Sequence, residues 1–158
     1  MIIVDIKGIK MEHDFLGHET AGDVKPLADC GYKLVSLLDL YEVLYEDVWR
    51  EATCAPRMQS KWSPENRTLG QCTITAFLVQ DIFGGEVYGI KRPDGNFHCY
   101  NVIDGKQYDL TIAQFGDERD SLVYDDKHRQ MREVHFRKEE KYNRYLLLKA
   151  LLKGVRGI

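Results

Sequence analysis

No run in this sequence approaches the roughly 20 apolar residues that a membrane-spanning helix needs. The first ten residues, MIIVDIKGIK, also lack the basic lead-in and apolar core of a secretory signal. These two absences predict a cytoplasmic protein with no membrane partner. Basic blocks longer than a few residues are missing too. Lys and Arg total 22 against 25 acidic residues, a net charge of −3, which is not the electrostatic footprint of a nucleic-acid binder. Cysteine is scarce and irregular: Cys30, Cys54, Cys72 and Cys99 lie far apart in a chain of 158 residues, 44% of them apolar. A chain of that size buries roughly 70% of its unfolded surface without staples, so reduced thiols are expected. There is no C-x-x-C or H-x-x-x-H spacing, no acidic metal cluster and no glycine-rich phosphate loop, so neither a metal nor a cofactor is expected. Repeats and low-complexity segments are absent, and one domain over residues 1–158 is the expected organisation. Asn66-Arg67-Thr68 fits a glycosylation acceptor but, without a secretory signal, is read as chance.

What is present is organised around GQCTITAFLVQDIFGG, residues 70–85. Ile74, Phe77, Leu78 and Ile82 recur at helical spacing, Ala76 and Val79 widen the apolar surface, and Gly84-Gly85 supplies a helix stop, so a buried helix is predicted. Cys72 falls on its first turn, where unpaired N–H groups and the positive end of the helix dipole favour a thiolate. A second, amphipathic helix is predicted over about 33 to 52 from Leu34, Leu37, Leu38, Tyr41, Leu44, Tyr45, Val48 and Trp49. A third is predicted over about 137 to 153, where Tyr145, Leu148, Leu151 and Leu152 form a stripe. Residues 1–10 alternate like a short edge strand, 10–32 read as a polar loop with one helical turn, and 53–69 form a loop leading into Cys72. The charged stretch from Asp117 to Glu133 reads as solvated loop with short helical turns.

EVYGIK, residues 86–91, reads as a strand followed by the turn RPDGN. Next comes the strongest hairpin signal in the chain, FHCYNVI and KQYDLTI joined by Asp104-Gly105, a favoured type I′ pair. With those two residues as the loop, Ile103 faces Lys106, Tyr100 faces Asp109 and His98 faces Thr111. His98, Tyr100, Asp109 and Thr111 then share one face, while Phe97, Cys99, Ile103, Tyr108, Leu110 and Ile112 take the apolar other. On this register His98 and Asp109 are diagonal neighbours within side-chain reach. A nucleophilic cysteine needs a base and the base needs an orienting group, so Cys72, His98 and Asp109 are the candidate catalytic residues. Their convergence requires the buried helix to pack with its N-terminus over the polar face of the hairpin. Gln71 is a candidate side-chain donor to an oxyanion, and Trp62 and Tyr100 are candidate substrate contacts. Cys99, pointing away from His98, is read as core.

The segments WSPEN, GQCTITAFLVQDIFGG, FHCYNVIDG, YDLT and QF resemble the small bacterial YunG-like family over about residues 62–115. The order of a helix-borne cysteine, a strand histidine and Asp-x-Thr on the next strand resembles, more broadly, the papain-like superfamily in its transglutaminase-like and peptidase-like branches. The resemblance implies an α+β, papain-like core, with the cysteine-bearing helix on an antiparallel sheet and flanking helices, and residues 1–32 as a divergent N-terminal arm. It also implies Cys72 as nucleophile, His98 as general base and acid, and Asp109 as the orienting carboxylate. Asn66, six residues before Cys72, has a spacing resembling that of the oxyanion glutamine in papain-like peptidases. The expected function is cysteine-dependent hydrolysis or acyl transfer at an amide of a peptide, protein or small molecule. The alternative is a non-enzymatic module that holds a peptide or protein in the same groove.

Overall fold

A computed structural model describes residues 14–158, together with the backbone of residues 2–4 and 10–12. The strand expected over 1–10 lies partly outside the described residues, as does His13. Within what is described, β1 (Ile2–Val4) pairs antiparallel with β2 (Lys10–Glu12). One helical turn, α1 (His18–Ala21), follows.

The first amphipathic helix begins later than its apolar stripe. Ser36 is extended and its side chain accepts the N–H of Asp39, so α2 spans Leu37–Val43 and Leu34 remains outside it. The helix then widens into a π turn over Leu44–Val48, where Trp49 N–H bonds back to the Leu44 carbonyl. Trp49 Nε1 donates to Thr75 Oγ1 at 3.0 Å, which ties this end to the next helix. Residues 51–61 form short 3-10 turns within the expected loop.

The predicted central helix is α3 (Cys72–Phe83), closed by Gly84 at φ 81. Ile74, Phe77, Leu78, Val79 and Ile82 are fully buried, each side chain contributing about 2 kcal/mol to the core. Strands β3 (Glu86–Lys91), β4 (Phe97–Ile103) and β5 (Lys106–Tyr108) form one antiparallel sheet in that order. Asp104 and Gly105 carry φ values of 51 and 76, the two positive angles a type I′ turn requires. The hairpin register is Ile103 opposite Lys106, Val102 opposite Gln107 and Asn101 opposite Tyr108. There the ladder ends, before the expected pairs Tyr100–Asp109 and His98–Thr111. Asp109 leaves β4 and instead bridges Leu16, its N–H bonding the Leu16 carbonyl at 3.1 Å.

On the outer side of β3, Gly89 N–H bonds the His128 carbonyl and Gln130 N–H bonds the Val87 carbonyl, both at 2.8 Å. The approach is close at Gly89, where a Cβ would stand 2.8 Å from the Phe97 ring and 2.9 Å from Gln130 Nε2. Past a short α4 (Arg132–His135), α5 runs Glu139–Arg156 and buries Tyr145, Leu148 and Leu152 against α3. The architecture is α+β, a three-stranded antiparallel sheet with helices packed on it. Among the described residues no helix is long and apolar enough to cross a membrane.

The position of α3 differs from the sequence expectation. It lies on the Cys99 and Asn101 face of β4: Asn101 Nδ2 donates to the Ala76 carbonyl at 2.8 Å, and Thr73 Oγ1 sits 3.5 Å from Cys99 Sγ. The opposite face, carrying His98 and Tyr100, is covered by residues 109–126. The face expected to receive the N-terminus of the buried helix is therefore covered by irregular chain instead.

Candidate active site

Cys72 is the first residue of α3 and is half-buried, its Sγ 3.7 Å from Thr73 Oγ1 and 4.0 Å from the carbonyl of Phe97, at the leading end of β4. The helix thus brings the sulfur to His98 around the start of the strand rather than across its face. All four cysteines are free thiols.

His98 is 2% exposed and Asp109 1% exposed. His98 Nε2 donates to Asp109 Oδ2 at 2.6 Å, and Tyr124 Oη donates to the same oxygen at 2.5 Å. Asp109 Oδ1 accepts from Thr111 N–H at 3.1 Å and from Thr111 Oγ1 at 3.4 Å. Four donors on one buried carboxyl group suit its ionised form. Phe115 meets the imidazole edge-on at 4.6 Å and fixes the ring plane. Because Nε2 is taken by Asp109, the nitrogen left for the sulfur is Nδ1, which is buried without a hydrogen-bond partner.

The electrostatics follow from these neighbours. Cys72 is held well below the ordinary thiol value, first by the Cys99 thiol beside it, against the opposing effect of burial, and then by the nearby positive charge of His98. Cys99 moves the other way, well above its ordinary value, because it donates to Cys72 and is buried. For His98, burial opposes the charge, but the charge and hydrogen bond of Asp109, with Cys72 adding to them, raise it to about 10. The two shifts run in the directions that favour a thiolate beside an imidazolium over the neutral pair.

Cys72 sits where two cavities meet, one of 480 Å³ and one of 260 Å³. Both are lined by Arg57, Met58, Asn96, Phe97 and Gln114. His98 and Phe115 close the smaller; the larger extends to His135, Lys138, Lys141 and Arg144. Among the described residues no group of three His, Cys, Asp or Glu side chains is placed to hold a metal.

Four expected contacts lie away from these cavities, each for a visible reason. Gln71 is fully buried and its Nε2 donates to the Arg50 carbonyl at 3.2 Å, so its amide points into the protein. Asn66 closes a turn, its N–H bonding the Ser63 carbonyl and its carbonyl accepting from Leu69 N–H. Trp62 folds back to donate Nε1 to the Arg67 carbonyl at 3.0 Å. Tyr100 is 1% exposed and its Oη donates to Asp126 Oδ1 at 2.5 Å. The sequence reading missed Tyr124, Cys99 and Gln114. Tyr124 sits in a stretch without periodicity, and nothing local links it to Asp109. Cys99 was assigned to the core by strand alternation, and it is core, yet its thiol reaches Cys72 because α3 occupies that face.

These features define an α+β protein in which a helix-borne thiol and an Asp109-bound imidazole open onto one cavity. Residues 36–155 match the family model described as YunG protein, and the chain belongs to that family. A relative from Bacillus subtilis (strain 168), named "Uncharacterized protein YunG", is 46% identical over 56 residues, which are 35% of this chain and 48% of that protein. The match thus spans about half the length of the curated relative. No solved structure matches the chain.

Proposed function

We propose that this protein is a cysteine-dependent hydrolase or acyltransferase acting at an amide bond, of the papain-like kind, working in the reducing environment of the cytoplasm. The observation that carries this reading is the imidazole of His98, gripped at Nε2 by Asp109 with its Nδ1 unpartnered beside a cavity that Cys72 lines. In the proposed cycle the Cys72 thiolate attacks the carbonyl carbon, and the oxyanion is received by the first-turn N–H groups of α3, which have no intrahelical acceptor. Gln114 is the side-chain amide placed to assist. Its Nε2 gives one hydrogen to the Thr111 carbonyl at 3.0 Å and has a second to offer. His98 Nδ1–H protonates the leaving amine, and a thioester remains on Cys72. The now neutral imidazole takes a proton from water or a second amine, which attacks the thioester and releases the thiolate.

The test is iodoacetamide alkylation of Cys72 against pH, read by mass spectrometry at that residue, with Cys72→Ser as the blank. An ordinary thiol with a pKa near 8.5 is about 0.3% thiolate at pH 6. Cys72 is expected to react on the order of a hundredfold faster than that fraction allows, and His98→Ala is expected to abolish the advantage. A wild-type profile following an ordinary thiol, or one unchanged in His98→Ala, overturns the reading and leaves the cavity as a binding groove.

A further inference from the structure

The charges lining the larger cavity do not balance. Arg144 is paired with Glu140 and donates Nη1 to the Thr53 carbonyl at 3.1 Å, and Arg57 pairs with Asp94 at 3.5 Å. Among the described residues no carboxylate stands within ion-pair distance of Lys138 or Lys141, both of which face this space.

Lys141 is held there by a chain of hydrogen bonds whose direction can be read. Gln130 Nε2 donates to the His128 carbonyl at 3.0 Å, so its Oε1 is the atom turned to His135 Nε2, 2.8 Å away. His135 Nε2 must therefore carry the proton, which leaves Nδ1 as an acceptor for Lys141 Nζ at 3.0 Å. Burial, with Lys141 close by, lowers His135 to about 4, so the ring is a neutral dipole and no counter-ion. The ammonium is thus fixed in place, half-buried, with donors to spare and no carboxylate partner, and the Cys72 sulfur on the same cavity is a nearby group whose negative charge favours it. Half-buried charges of this kind are stabilised by a partner of opposite sign, and a carboxylate on an occupant of the cavity would supply the ion pair that no protein carboxylate makes here.

We propose, resting on the acyl-transfer reading above, that the larger cavity seats a carboxylate of the substrate against Lys141, with Lys138 adding to the field at its edge. The amide attacked by Cys72 then belongs to an acidic peptide or acyl segment that carries this carboxylate near the scissile carbonyl. Lys141 is the specificity-determining residue.

The probe is a pair of thiol reagents differing in one charge, iodoacetate and iodoacetamide, with Cys72 alkylation measured for each at low ionic strength. The iodoacetate-to-iodoacetamide rate ratio, compared with that of the urea-unfolded chain, is expected to be raised roughly tenfold in the folded protein. The excess is expected to be lost in Lys141→Gln, retained in Lys141→Arg, and reduced at 0.5 M salt, roughly a 4 Å screening length. Lys106→Gln, on the hairpin turn, serves as the distant control. A ratio no higher than that of the unfolded chain, or one that survives Lys141→Gln, overturns the proposal even where iodoacetamide still reacts rapidly at low pH. Slow reaction with both reagents removes the acyl-transfer reading, and this inference with it.

Discussion

The two faces of β4 are buried by different means. On the Cys99 face, α3 lays down an apolar helix, and most of the contact is dispersion and water exclusion among Ile74, Phe77 and Leu78. On the His98 face the cover is irregular chain, residues 109–126, held by directed bonds: Asp109 to His98, Tyr124 to Asp109, Tyr100 to Asp126 and Gln107 to the Tyr124 carbonyl. The first face tolerates changes in shape at a cost in stability. The second tolerates few changes of atom type, because each buried donor or acceptor removed strands its partner. Cys72 stands at the end of the strand where the two coverings meet.

The largest test of this contrast is Asp109→Ala, which strips both His98 and Tyr124 of their acceptor. It is expected to destabilise by about 3–5 kcal/mol in urea melts. Its pH dependence has a definite sign. Folded His98 titrates at about 10, against about 6.5 for an unfolded histidine, so the stabilisation it gains is whole below about pH 6.5 and fades as pH rises through about 10. Cys72, being lowered, runs the opposite way, so the comparison is cleanest in a Cys72→Ser background. There, the part of the loss due to Asp109→Ala is expected to shrink between pH 6 and pH 10. On the other face, Leu78→Ala is expected to cost about 3 kcal/mol yet leave the acid limb of the Cys72 alkylation profile in place. A flattened profile in that variant would mean that the two coverings are not separable. The smallest expected effect is that of Tyr124→Phe, about 1–2 kcal/mol of stability, with His98–Asp109 intact and alkylation at pH 6 slowed only a few-fold.

The same contrast explains how much was legible in the sequence. The helix-side covering has a period, so α3, the β4–β5 register down to Tyr108 and the stripe of α5 could be read from apolar spacing and from Asp104-Gly105. The association of His98 with Asp109 was also readable, although the pairing that suggested it is not formed. Asp109 departs to bridge Leu16, and its side chain reaches back to the ring. Side-chain bonds between distant residues leave no periodic trace, and hence Tyr124, Gln114 and the His135–Lys141 contact were invisible. The expectation that Gln71, Asn66, Trp62 and Tyr100 would gather at the thiol rested on closeness in sequence or register. The Gln71, Trp62 and Tyr100 side chains found nearer hydrogen-bond partners, and the backbone of Asn66 closes a turn.

Gly89 has a reach beyond its own strand. Any side chain there would collide with Gln130 and the Phe97 ring, and Gln130 is the amide that dictates which imidazole nitrogen of His135 bears hydrogen. A methyl group added on β3 would therefore be felt several side chains away, as a shift in where the Lys141 charge stands. The position of the Lys141 charge is anchored, through Gln130 and His135, to a residue with no side chain at all.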